Sequence, residues 1–218
     1  MQSLISKEAS RQLELASEGQ SPQLQSELRT RRILVIADWN GPKEALALAV
    51  ESVTGDLAAG FRGQAAINAI LAGYLRDALG MRSECNRSAM EALRLERSPW
   101  VLKHAAVLLA RGGASGRANE ILNELEAQNF PRFLSAAEHV RGEMALLKGD
   151  RGESIRRFAR SVSLLPQPWA CEGLVRAGAR VEADSKAAYR RFALRLRYPE
   201  PPGLVHMFAN SKTRPKEI

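Results

Sequence analysis

The stretch Ala145–Pro166, ALLKGDRGESIRRFARSVSLLP, carries four arginines within one helix-length run. It reads either as a basic helix aimed at phosphates or as a packing unit with arginine on its outer side. Placed on a helix from Asp150 to Leu165, Ile155, Phe158, Val162 and Leu165 fall on one face at steps of three, four and three, the amphipathic period. Ser154, Ala159 and Ser161 lie beside that stripe, where close helix approach needs small side chains. Arg156 and Arg160 stand opposite, one turn apart, with Arg157 flanking them. The expectation is a packing helix with a basic outer face.

The punctuation of this stretch recurs along the chain. Gly41, Gly80, Gly113, Gly149 and Gly178 each follow an apolar or amphipathic segment, at spacings of 39, 33, 36 and 29. Pro99, Pro131, Pro166 and Pro199 follow one another at 32, 35 and 33. Glycine ends a helix in the left-handed conformation, and proline cannot continue one. A glycine in the middle and a proline at the end, recurring near a period of about 34, mark helix–turn–helix repeats. Helix starts are expected at Ser21–Pro22, Pro42 and Ser98–Pro99, with capping boxes at Ser135–Glu138 (SAAE) and Asp150–Glu153 (DRGE), where a side-chain oxygen meets the first free amides. RRILVIAD (Arg31–Asp38) is the one short apolar run that could be a buried strand. It flows into a helical pattern, and Arg29–Trp39 is expected to be helix.

Gly142, Gly149, Ser154, Phe158, Ser161 and Pro166 resemble the tetratricopeptide (TPR) repeat. That family places a small residue in the first helix, glycine in the turn, and a small residue, an aromatic and another small residue in the second helix, then proline. Gly73, Gly80, Cys85, Ala89 and Ala92 resemble a second unit, and Ala106, Gly113, Ala118 and Leu122 a third. Gly178, Ala187, Ala188 and Phe192 fit a last unit with a longer turn, and a first unit lies around Gly41. The resemblance implies an all-α, right-handed α-solenoid of about four to five units over residues 29–199. Residues 1–28 would form an N-terminal helix or capping segment, and 200–218 a Pro-rich tail.

Composition agrees with a soluble globular chain: 218 residues, 45% apolar and 26% charged, with a formal charge of +8. Such a charge favours acidic partners, whether nucleic acid, an anionic membrane or an acidic peptide, and equally serves solubility. Cys85 and Cys171 lie far apart in apolar helical contexts and form neither a disulfide framework nor a zinc pair. They are expected as small core residues in a reducing compartment. The N-terminus contains acids and lacks the apolar core of a signal peptide. No apolar run approaches the roughly 20 residues that span a bilayer, so a cytoplasmic location is the default.

No catalytic motif appears: no GxSxG, no glycine-rich loop ending in GK[ST], no HExxH and no GxGxxG. No catalytic residue, metal site or cofactor is therefore expected. His104 and His139 occupy near-equivalent places in successive first helices and read as scaffold histidines. In a TPR-like stack the first helices line a concave groove. The resemblance places Tyr74, Asp77, Trp100, Lys103, Val107, Arg111, His139, Glu143, Trp169, Arg176 and Arg180 there. Aromatic and arginine side chains are the types enriched at binding hot spots, although the tryptophans could equally staple neighbouring repeats. Some TPR domains clamp a terminal carboxylate with Lys, Asn and Arg; Lys103 and Arg176 suit that role, but the asparagines are absent. Lys186–Tyr198 is a basic amphipathic stretch, read as a solvated capping helix in preference to a membrane or RNA surface. The expected function is a non-enzymatic scaffold that binds a peptide or helix of a partner protein in a concave groove, an acidic partner being one option. The alternative is a helical repeat that binds nucleic acid or another polyanion through surface arginines. Partner identity and oligomeric state are not legible in the sequence.

Overall fold

Glycine ends most of the helices, as its freedom at positive φ allows. In the computed structural model, which describes residues 2–39 and 41–179, Gly80, Gly113, Gly149 and Gly178 take φ of 77°, 85°, 79° and 84°. Gly19 and Gly60 do the same at two further turns. Gly41 differs: at φ 103° and ψ 172° it is the residue that caps the start of the next helix.

Among the described residues the chain forms ten helices and no strand. They are α1 (Gln2–Ser17), α2 (Pro22–Trp39), α3 (Pro42–Ala58), α4 (Arg62–Ala78) and α5 (Arg82–Leu95), then α6 (Pro99–Arg111), α7 (Ser115–Ala127), α8 (Pro131–Leu147), α9 (Arg151–Leu164) and α10 (Pro168–Arg176). Proline opens α6 and α8 with its fixed φ and missing donor. Ser98 caps α6 through its side chain on the Val101 amide, and Asp150 caps α9 on the Glu153 amide. The RRILVIAD run lies inside α2, where Ile33 and Leu34 are buried. That helix also passes unbroken through residues 28 and 29, and Leu28 is buried on it too.

Every helix packs on the next along the chain. The even-numbered helices also touch in sequence, α2 on α4, α4 on α6, α6 on α8 and α8 on α10, whereas among the described residues the odd-numbered helices touch only even-numbered ones. The even row is thus the tighter layer, and small residues make the fit. The Phe158 ring of α9 lies against two glycines: a Cβ on Gly142 of α8 would stand 2.8 Å from its Cδ1, and one on Gly173 of α10 only 2.4 Å from its Cε1. Ser154 donates to the Gly142 carbonyl at 2.9 Å and Ser161 to the Ser135 carbonyl at 2.8 Å. Cys85, Ala89, Ala92, Ala106 and Ala118 are buried in the equivalent seams.

Three local expectations are corrected. SAAE is not a helix start, since α8 begins at Pro131 and Ser135 is buried in mid-helix, bonded to Ser161 across the seam. In α9 the most buried stripe is Ser154, Phe158 and Ser161, while Ala159 is exposed and Ile155 only half-buried. The neighbour's backbone selects the small residues one position round from the apolar stripe. Glu153 does not reach back to close a capping box; its carboxylate takes bonds from Arg156 and Arg157. The expected last unit beyond residue 179, the basic stretch Lys186–Tyr198 and the tail 200–218 lie outside the described residues.

Phe158 therefore holds three helices at once. Phe158→Ala is expected to cost about 3–5 kcal/mol, and Gly173→Ala about 1–3 kcal/mol by overpacking, both read from urea unfolding followed by circular dichroism.

Candidate functional site

The even row carries a file of charges buried between helices. Asp77 lies in the last turn of α4, Arg111 ends α6, Glu143 lies in α8 and Arg176 ends α10. Arg111 donates to Asp77 at 3.2 Å and to Glu143 at 3.1 Å. Arg176 donates to Glu143 through both terminal nitrogens, one of them at 3.3 Å from Oε2. The steps between partners are 34, 32 and 33 residues, so each rung is one repeat from the last. The signs alternate, and the side chains of Arg111 and Glu143 are each 3% exposed.

An aromatic and histidine layer covers this file. The Tyr74 hydroxyl meets His104 Nδ1 at 2.9 Å, and Arg111 lies over the Tyr74 ring at 5.6 Å. The His104 ring lies tilted against Trp100 at 4.3 Å and meets Trp169 edge-on at 5.5 Å. Lys103 Nζ stands 3.3 Å from the centre of the Trp169 ring, a cation–π contact. Trp169 at the start of α10 thus reaches α6, two helical pairs back. His139 presents Nε2 to Glu143 at 3.8 Å and its ring to Phe158 at 5.3 Å.

Burial and charge set the protonation states. Burial pushes His139 down to about 3, with Lys103, Arg176 and Arg111 adding to the effect against the pull of Glu143. Burial, then Lys103, holds His104 well below the usual imidazole range. For Glu143 burial opposes the charge, but Arg176 and Arg111 outweigh it and hold the carboxyl well below the carboxylate range. For Arg111 burial likewise opposes the charge, and Glu143, Tyr74 and Asp77 overcome it. Burial raises the Tyr74 hydroxyl and, with Asp77, takes the Cys85 thiol up to about 12. Cys85 and Cys171 are both free thiols raised by burial, poor nucleophiles in this setting.

The residues expected in the groove are brought together. Nine of the ten principal ones, Tyr74, Asp77, Trp100, Lys103, Arg111, His139, Glu143, Trp169 and Arg176, lie on the even row, as does Val107; Arg180 lies outside the described residues. Tyr74, Lys103, His139, Glu143 and Trp169 are buried, and Asp77, Trp100 and Arg176 half-buried. The space they leave is a cavity of about 10 Å³ bounded by Tyr74, His104, Arg111, His139, Glu143 and Arg176, room for about one water molecule. Among the described residues no group of three or more His, Cys, Asp or Glu is arranged to hold a metal ion, and no helix is long and apolar enough to cross a membrane.

A second polar hub escaped the sequence reading. Asp56 of α3 is fully buried and accepts from Ser26 at 2.6 Å, Arg29 at 2.9 Å and Asn68 at 2.7 Å. Its signal was present: Asp56 follows Val53 by three positions and falls on the apolar side of α3 with Ala45, Ala49 and Ser52. Arg87, Arg117, Arg156 and Arg160 stand well exposed on odd-numbered helices, and Arg31, Arg62 and Arg132 are exposed on even-numbered ones. Comparison of the chain with protein-family models, curated proteins and solved structures finds no match.

The neutral histidine gives the site a pH signature. His139 titrates near 6.5 when unfolded and about 3 when folded, so below 6.5 the unfolded chain binds more protons. Its contribution is complete above 6.5 and is lost as pH falls toward 3; at pH 5 the loss is about 2 kcal/mol. His139→Gln should lessen the loss of stability between pH 7 and pH 4, leaving the part that His104 contributes, measured by urea unfolding at each pH.

Proposed function

We propose that this chain is a non-enzymatic protein–protein interaction scaffold, a right-handed α-solenoid of four to five TPR-like units. The observation that carries the reading is the concentration of aromatic and charged side chains along the row of alternate helices α4, α6, α8 and α10. The repeat-spaced glycine turns and small-residue seams support the architecture. The space left among these side chains holds about one water, which suits a packed platform. With its centre consumed by internal contacts, the platform offers a partner its edge, where Trp100, Asp77 and Arg176 are half-buried. An aromatic flanked by both signs of charge suits a peptide or helix that brings apolar and acidic side chains.

A second reading rests on the arginines. Arg87 and Arg156 keep 75% and 71% of their side-chain surface exposed on α5 and α9, which suits a polyanion held by the outer layer. Glu153 is bonded to Arg156 and Glu120 to Arg117, and this neutralisation weakens it.

Affinity purification from the source cell with the full chain separates the two. Trp100→Ala should lose a partner that an Arg156→Glu/Arg160→Glu variant retains, at least about tenfold in recovered partner. Fluorescence anisotropy with labelled DNA and RNA at low salt should show no binding. Binding that falls steeply with salt and is lost in the arginine variant would establish the polyanion reading instead.

A further inference from the structure

We infer that the file Asp77–Arg111–Glu143–Arg176 is a register device, which sets the angle between successive helical pairs and adds little to the stability of the fold. Each member comes from a different even-numbered helix, at intervals of 34, 32 and 33 residues. Their signs alternate, so every contact along the file is attractive and the four charges sum to zero. Arg111 is the keystone: it alone binds a carboxylate on each side, Asp77 of α4 and Glu143 of α8. A shift of one helical turn between α6 and α8, about 5.4 Å, would separate Arg111 from Glu143 and leave both charges buried without partners. Apolar side chains tolerate such sliding; a buried guanidinium between two carboxylates does not.

The joint that needs such a device lies between α7 and α8. Only residues 128–130 connect them, and Asn129 among these takes φ 49°, the one positive value of a non-glycine residue among those described. Phe130 beside it is 58% exposed and adds little packing there. Across this joint the ties are α7 directly on α8, α6 on α8 with its Arg111–Glu143 bond, and the more exposed Arg141–Glu126 pair. The buried tie has the defined geometry; the exposed one is worth little in water.

The distinction between register and stability is open to experiment, because a buried ion pair replaced whole by apolar residues commonly keeps or raises stability. The variant Asp77→Leu/Arg111→Met/Glu143→Met/Arg176→Met is compared with the native full chain. Keto amino acids replacing Arg87 on α5 and Arg160 on α9 carry spin labels, so the native cysteines stay untouched. The variant should keep its helix content and a thermal midpoint within about 4 °C, while the label-to-label distance distribution broadens at least about twofold. A distribution as narrow as the native one overturns the inference. So does loss of helix content, which would make the file a stability element. Arg176→Met alone supplies a second measurement: the amides of α10 should exchange at least about tenfold faster while those of α4–α7 keep their protection. Unchanged exchange in α10 likewise overturns it.

Discussion

Much of this structure follows from the cost of burying one guanidinium. Arg111 cannot lose its proton, and with 3% of its side chain in contact with solvent it has little water to lean on. Its charge is tolerable only because Asp77 and Glu143 reach it from two other helices. That demand links α4, α6 and α8, and Glu143 passes it on to Arg176 of α10. The neighbouring histidines then have no room for a proton, and burial with Lys103 keeps both neutral. Burial and Lys103, more than the ionic chain itself, thereby set the charge state of the layer above it.

The chain can bring those charges together only because its seams are built from small side chains. Gly142 and Gly173 admit the Phe158 ring, and Ser154 and Ser161 bond directly to the backbone of α8. Larger residues there would hold the even-numbered helices apart and leave the file of charges out of reach. The same closeness explains why the aromatic residues pack inward. Trp169 covers Lys103 and His104 of α6 and staples α10 two helical pairs back, as one of the two readings of the tryptophans anticipated.

The helical architecture was legible at the glycines and prolines, because a helix terminus makes a local demand on φ or on a missing donor. Gly80, Gly113, Gly149 and Gly178 end helices at positive φ, and Ser98 and Asp150 cap as anticipated. Ser135 misled, because a serine followed by glutamate three positions later looks the same at a helix start as in a seam. The candidate site was legible as a set of residues only through the resemblance to the TPR repeat, which places them on the first helix of each unit. Its depth was not. Nothing local distinguishes Arg111, buried at the end of α6, from Arg156, which has 71% of its side chain exposed on α9.

By itself the sequence determined most of the helix boundaries, at glycines, prolines and the caps Ser98 and Asp150, and that this punctuation recurs near a 34-residue step. These are properties of one segment or of simple spacing, and they need no knowledge of neighbours. Only the tertiary structure decided which charges meet. The period of a helix assigns a residue to a face, but the packing of alternate helices assigns that face to water or to a neighbour. Arg111 and Arg176 became internal struts because α8 delivered Glu143 between them; Arg156 pairs only within its own helix and Arg160 reaches Glu138 of α8 at 3.6 Å from the rim, so both stayed on the outside.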